Sequence, residues 1–270
     1  MYFKYDLKIG LKKNIPVYIS AGIYVILSSI VYRVGLKAEE LTGFGLLDYY
    51  SYMLRGSRPY IPESGERFMI PIEWLLLQLL VIYMIGNYPL SELYNNHGIN
   101  ILLRGNSRKR WFFSKWLWGV LSILLFYGVC WSVLFSFCVM AKVPLFVQLH
   151  ANRGILLEPV LRVNGRGIAE LILLPVIGQV TMMSFQLSVS LCWNRTEAVI
   201  LMIILQIWSA YTFSNFLPGN SMMIYRSEVF LESGTSFHNS LMILLVEMVI
   251  SLLVGLFVFQ RCDILKKHGV

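Results

Sequence analysis

Long runs without charged side chains constrain this sequence more than any other feature. Five uncharged runs hold 18 or more residues, and a sixth carries a single glutamate. A helix needs about 20 mainly apolar residues to cross roughly 30 Å of hydrocarbon, because its backbone must satisfy its own hydrogen bonds in lipid. The sequence therefore predicts an all-α integral membrane protein with six transmembrane helices, over residues 14–32, 72–91, 113–141, 169–193, 197–215 and 238–260.

Composition excludes the other broad classes of protein. Hydrophobic residues make up 57% of the chain and charged residues only 14%, whereas a soluble globular protein has about 25% charged residues. The longest stretch between apolar runs, residues 33–72, is too short for a separate globular domain. Its aromatic middle, residues 46–54, is expected to be partly ordered at the membrane surface. We expect residues 1–270 to form a single transmembrane domain.

Lysine and arginine are concentrated on one side of the predicted membrane. That side holds both termini, the turn between the second and third spans, and the turn between the fourth and fifth. It carries 13 basic and 4 acidic residues, a net charge of +9, whereas the opposite side has 10 basic and 11 acidic residues, a net charge of −1. Basic segments stay inside, so we expect a multi-pass protein of the cytoplasmic membrane with both termini cytoplasmic. This orientation and anionic membrane lipid account for the positive charge, and nucleic acid is not an expected partner.

Residues 1–13 are expected to form an N-terminal interfacial helix. Apolar residues and lysines each recur every four positions here: the apolar stripe is Phe3, Leu7 and Leu11, and the basic stripe is Lys4, Lys8 and Lys12. Such a helix lies in the membrane interface with its lysines toward lipid phosphates. It would end near Pro16, where the first span begins. The alternative is a plain positive flank.

The fifth uncharged run is too long for one straight span. It covers 28 residues, 198–225, and contains Pro218 and Gly219. We expect the chain to turn there, so that residues 213–237 form a broken or re-entrant outer segment between spans five and six. Neighbouring helices would have to cover this segment to satisfy its free backbone groups.

The sequence contains none of three catalytic motifs: a phosphate-binding loop, a zinc-protease motif or an intramembrane serine–histidine pair. There is no Gly-Lys dipeptide of a phosphate-binding loop, and none of the four histidines precedes a glutamate as in a zinc protease. No predicted span has a histidine in its interior that could assist a serine nucleophile, since His238 is only the first residue of the sixth span. We expect neither catalytic nor metal-binding residues, no cofactor in this chain, and no enzymatic activity of its own.

Glu247 is the single charged residue in the middle of a predicted span. An ionisable group at that depth is a functional hypothesis, because its exposure to lipid costs at least about 2.5 kcal/mol. It could line a substrate path with Gln179 and Gln186 on the fourth span. Equally, it could be a protonated or hydrogen-bonded residue that joins span six to those glutamines.

The segment between spans two and three gives the most specific signal. It runs from Glu92 through Gly98, a short amphipathic stretch and a Ser-Arg pair to Lys115, which enters the third span. This order resembles the corresponding turn of type-two ATP-binding-cassette exporter permeases. That family usually has several acidic residues where this chain has Glu92 alone. The interfacial N-terminal helix and the broken segment before span six are also features of the family.

The resemblance implies a cytoplasmic coupling helix that docks into a separate ATPase subunit. The expected ATPase-coupling residues are Glu92, Leu93, Tyr94, Gly98, Ile101, Leu102, Arg104 and Arg108. The apolar residues among them would enter a groove of the partner, and the arginines would complement acidic residues at its rim. The alternative is a merely solvated basic turn.

The resemblance further implies the transmembrane subunit of an exporter. Its partners would be two ATPase subunits, which hold ATP and magnesium, a second permease copy or homologue, and membrane lipid. The substrate is expected to be amphipathic, such as a peptide, lipid or hydrophobic drug. A different class of function is also open: a non-transporting membrane sensor, scaffold or peptide-immunity protein.

Overall fold

A computed structural model describes residues 2–40, 44–60, 67–89, 107–145, 165–228, 230–231 and 233–261. Over these residues the chain is all-helical, and the sole bridge of β type joins Ser227 to Thr235. The helices are α1 (Tyr2–Ala38), α2 (Leu46–Leu54), α3 (Ile72–Asn87), α4 (Arg108–Met140), α5 (Gly165–Cys192), α6 (Arg195–Tyr211), α7 (Pro218–Ser221) and α8 (Phe237–Arg261). A 3-10 turn, Ile224–Arg226, follows α7. The all-α prediction is confirmed for this part of the chain.

Four helices are long and apolar enough to cross a membrane. They are Tyr5–Ala38 within α1, α4, Glu170–Cys192 within α5, and α8. Each coincides with one of the predicted spans, to within one residue where the span is the longer of the two. The predicted spans over 72–91 and 197–215 correspond to α3 and α6, which have only 16 and 17 residues. The chain is therefore a membrane-embedded helical protein, and six crossings remain a prediction.

The first helix is longer than the sequence predicts. Pro16 lies inside α1, and no boundary separates residues 2–13 from the first span. Contacts to α4 explain this continuity. An added Cβ atom at Gly10 would come within 2.4 Å of the Trp118 side chain, so the N-terminal turns of α1 pack directly on α4. The loss of one backbone donor at Pro16 is outweighed by this packing on both sides of the proline.

Helix α5 occupies the centre of the bundle. It packs along α8 and also contacts α3, α4 and α6, whereas α1 packs mainly along α4. The two ends of the bundle differ. The N-terminal end holds the first turns of α1 and α4 and the end of α3. The distal end holds α2, α7 and the 3-10 turn.

Helix α2 is buried rather than spread over a surface. Eight of its nine residues are buried, from Leu47 to Leu54. Its tyrosines pack on rings of the long helices: the ring centroids of Tyr49 and Tyr32 are 4.8 Å apart, and those of Tyr50 and Trp131 are 4.4 Å apart. Aromatic pairs at these distances stabilise the contact beyond their buried area. The segment thus closes the distal end of the bundle.

The predicted break after the fifth span is present. Helix α6 ends at Tyr211, and Pro218 begins the four-residue helix α7. All of α7 is buried, in contact with α5 and α6. Proline at the first position suits a helix start, because its missing N–H would have no partner there.

Candidate functional site

Seven of the eight predicted coupling residues lie outside the described residues. They are Glu92, Leu93, Tyr94, Gly98, Ile101, Leu102 and Arg104. The eighth, Arg108, is the first residue of α4. Its Nη1 atom donates to the Phe259 carbonyl at 3.1 Å and to the Gln260 carbonyl at 3.0 Å. Arg108 therefore caps the C-terminus of α8, where a cation is favoured by the helix dipole.

A buried charged network lies at the borders of that segment, at the N-terminal end of the bundle. Asp6 on α1 is fully buried, and Lys115 on α4 is 2% exposed. The Lys115 Nζ donates to Asp6 Oδ1, and the Ser114 hydroxyl donates to Asp6 Oδ2 at 2.5 Å. Tyr88, directly after α3, donates to Asp6 Oδ1 at 2.5 Å. We call Asp6, Tyr88, Ser114 and Lys115 the anchor network.

The anchor network has well-defined local supports. Ser107 caps the N-terminus of α4, with its side chain accepting a hydrogen bond from the Arg110 backbone at 3.4 Å. The absence of a side chain at Gly10 lets α1 approach α4 closely enough for Asp6 to reach Lys115. Because each charge has a partner and the carboxylate accepts three hydrogen bonds, burial of the pair is compatible with folding.

Tyr88 remains a donor in this network. Burial raises the pKa of its hydroxyl above the ordinary value, and its hydrogen bond to Asp6 and the charge of that carboxylate raise it further. The phenol is therefore neutral at physiological pH. Its hydroxyl donates to Asp6 Oδ1, and the Lys115 Nζ donates to the Tyr88 oxygen at 3.1 Å. One carboxylate thus joins three helices.

Sequence reasoning assigned Asp6 and Lys115 to the same side of the membrane but did not pair them. One signal was available: Asp6 is the single acidic residue among the first 38, in a stretch that contains Lys4, Lys8, Lys12 and Lys13. An isolated acid in a basic flank is a candidate for a structural ion pair. Its partner could not be identified, because the two residues are 109 positions apart.

The intramembrane polar residues do not form the predicted group. Gln179 on α5 bonds to Gln78 on α3, and Gln186 donates to the Ile82 carbonyl on α3 at 2.9 Å. Both glutamines therefore face α3. Glu247 lies on α8 and bonds to neither, and its Oε2 atom has no hydrogen-bond partner among the described residues. The predicted contact of Glu247 with Gln179 or Gln186 is not made, because α8 packs on a different face of α5.

Small hydroxyl residues join α5 to α8 instead. The Thr181 hydroxyl donates to the Leu244 carbonyl at 3.1 Å, and the Ser188 hydroxyl donates to the Ser251 carbonyl at 2.7 Å. Such interhelical hydrogen bonds are typical of helix packing in membranes. The sequence reasoning overlooked them, because serine and threonine inside an apolar run give no charge signal.

A second buried charge lies at the distal end. Arg226, on the 3-10 turn, is fully buried and surrounded by carbonyl groups. It donates to the Ser57 carbonyl at 3.0 Å, the Ala210 carbonyl at 2.6 Å and the Thr212 carbonyl at 3.1 Å. Burial lowers the pKa of the guanidinium to about 10, so it stays charged at neutral pH. It caps the C-terminus of α6 and attaches that helix to the segment after α2.

The described residues contain no cluster of the side chains that usually bind transition metals. No three side chains of His, Cys, Asp or Glu converge among the described residues. Both buried charged groups hold helices together. The anchor network joins α1, α3 and α4, and Arg226 joins the segment after α2 to α6 and α7.

Comparison with known proteins identifies the family alone. No curated protein and no solved structure matches the chain. A family model described as DUF2705, protein of unknown function, matches residues 51–265, which include α3 to α8 and the whole segment between α3 and α4. The chain belongs to the DUF2705 family.

Proposed function

We propose that this chain is the transmembrane permease subunit of an ATP-binding-cassette exporter. It would move an amphipathic substrate, such as a peptide, lipid or hydrophobic drug, across the cytoplasmic membrane. Two separate ATPase subunits would hydrolyse ATP with magnesium, and a second permease copy or homologue would complete the path. Both termini would lie in the cytoplasm, and the residues that bind the ATPase would come from the 90–106 connection.

The anchor network is the observation that carries this proposal. Tyr88 lies two residues before the connection begins, and Ser114 and Lys115 lie within the first turns after it. All three bind Asp6 on α1. A force on the connection would therefore reach α1, α3 and α4 together, as coupling through a rigid packed element requires.

Helices α3 and α6 support the count of six crossings despite their length. The two ends of α3 contact different parts of α1: the Glu73 carbonyl accepts from Tyr24 at 2.5 Å, and Tyr88, directly after α3, binds Asp6 at the N-terminal end of the bundle. Helix α6 packs along it, with Gly86 against Val199. We infer that both helices cross the membrane alongside the four longer ones.

The lateral surface supports contact with membrane lipid. Large apolar side chains stay exposed along α8, among them Met242, Val246 and Leu253, at 57% or more. A groove of about 460 Å³ between α1 and α3 is lined mostly by leucines and isoleucine. Apolar surface of this extent needs lipid or a second permease to cover it.

Co-purification tests the proposal. Affinity-tagged chain from native membranes is expected to bring down an ATPase subunit with a Gly-x-x-x-x-Gly-Lys-Ser/Thr motif. The double variant Ile101→Asp, Leu102→Asp would lose that subunit, since charges would enter the apolar groove of the partner. The matched control, Ile101→Leu with Leu102→Ile, would retain it.

The opposite result would favour the other class of function. If no ATPase subunit accompanies the chain, and the aspartate variant keeps its cellular activity, the protein is a sensor, scaffold or immunity protein and not an exporter subunit. A peptide-protection assay on the same two variants would then show unchanged resistance.

A further inference from the structure

A small cavity lies at the distal end, between the first turns of α5 and the break at α7. Its volume is about 10 Å³, and its lining consists of Glu170, Ser221, Ser227 and six apolar residues. A space of this size holds one particle as large as a water molecule. The polar side chains that line the cavity are one carboxyl group and two hydroxyl groups, so its side-chain ligands would all be oxygen atoms.

Two of these oxygen atoms lack partners. Glu170 is 4% exposed and Ser221 is 6% exposed. The Glu170 Oε1 and the Ser221 Oγ are both buried atoms without a hydrogen-bond partner among the described residues. The Glu170 carboxyl keeps a hydrogen bond with Ser227, which leaves Oε1 unpaired. Burial of an ionised carboxylate costs several kcal/mol, and a bound cation would compensate that cost.

The described basic side chains nearby do not supply that charge. The guanidinium of Arg226 is directed at carbonyl groups of α6 and Ser57. Arg55 pairs with Glu73 at 2.7 Å. Glu228 adds a second negative charge that acts on Glu170. The local electrostatic potential therefore favours a cation in the cavity.

We propose that Glu170, Ser221 and Ser227 bind a dehydrated monovalent metal cation of sodium size. Oxygen ligands select hard cations. Calcium takes six to eight oxygen ligands, often from several carboxylates, and magnesium retains most of its waters, for which the cavity has no room. Sodium sites in membrane proteins commonly lie where a broken helix frees its backbone carbonyls, and α7 ends at this cavity.

Cation binding would fasten α5 to the α7 segment. Glu170 belongs to α5, whereas Ser221 ends α7 and Ser227 follows the 3-10 turn. An ion shared by these residues binds the folded state alone, so it stabilises that state by mass action. The proposal is independent of whether the chain transports a substrate.

Thermal unfolding of the purified protein in detergent tests the site. The sodium chloride concentration is raised at constant ionic strength by replacement of choline chloride. Tryptophan fluorescence measures the midpoint temperature of unfolding at each concentration. We expect a saturable rise of about 4 °C for the original chain. Ser221→Ala would need about tenfold more sodium for the same rise, because one ligand to a charged centre is lost.

Removal of the carboxylate is the decisive comparison. Glu170→Gln should fold as well in choline, since its side chain is neutral and of equal size, and should show no sodium-dependent rise. Glu197→Gln, an exposed substitution on α6, is the matched control and should keep the full rise. A sodium response that survives in Glu170→Gln, or its absence from the original chain, would overturn the proposal.

Discussion

Buried charges in this protein are stabilised in two different ways at the residue scale. Asp6 and Lys115 neutralise one another, and Tyr88 and Ser114 complete the hydrogen bonds of the carboxylate. Arg226 has carbonyl groups in place of an acid. The first arrangement depends on both charges being present, since loss of either leaves an uncompensated ion in the core.

The anchor network should therefore respond unequally to single and double substitutions. Asp6→Asn leaves the buried Lys115 without a counter-charge and is expected to lower the free energy of unfolding by about 3–5 kcal/mol. The double variant Asp6→Asn, Lys115→Met should recover a large part of that loss. Chemical unfolding in detergent, followed by tryptophan fluorescence, measures the free energy of unfolding of both variants. Additive losses would contradict a direct pair, and Lys109→Met, an exposed lysine of the same helix, serves as control.

At the scale of elements, α1 shows what local patterns can and cannot predict. Its apolar run predicts a spanning helix, because length and hydropathy alone decide that a segment can cross lipid. The predicted boundary at Pro16 failed for a tertiary reason: Gly10 and Asp6 hold the preceding turns against α4. Such contacts join residues more than 100 positions apart, and no periodicity in one helix encodes them.

Two glycines of α1 give a matched comparison. An added Cβ atom at Gly10 would meet the buried Trp118 indole at 2.4 Å, whereas at Gly35 it would meet nothing within 4 Å. Gly10→Ala should destabilise the protein by about 1–3 kcal/mol through overpacking. Gly35→Ala should be neutral or stabilise it by up to about 1 kcal/mol through helix propensity. Thermal unfolding distinguishes the two, and equal effects would refute close α1–α4 packing.

For the whole molecule, the sequence predicted the helices better than the site. Apolar runs identified all six long helices in the part of the chain that the structure describes, and the break at Pro218 was visible in the sequence. The anchor network and the Arg226 cap were not predictable, because their partners lie 109 and 169 positions away in the chain and no local pattern pairs them. A role for Glu247 stays a prediction, whereas Gln179 and Gln186 face another helix.

Cysteine labelling tests the orientation of the whole molecule. In a chain whose four native cysteines are replaced by serine, Arg110→Cys would lie at the N-terminal end and Asn239→Cys near the distal end. Because the basic excess lies at the N-terminal end, a membrane-impermeant maleimide should label Asn239→Cys in intact cells. Arg110→Cys should react only after permeabilisation. The reverse pattern would place the termini outside.

The Arg226 cap has a consequence for biosynthesis. The guanidinium binds the Ser57 carbonyl across 169 positions of the chain. At the usual speed of a ribosome, roughly 10–30 s separate the synthesis of these two residues. Until Arg226 emerges, the end of α6 and the Ser57 carbonyl lack this donor. A nascent chain truncated before residue 226 therefore lacks the bond between the end of α6 and the segment after α2. Every newly made copy passes through this uncapped state, in which membrane quality control could recognise it.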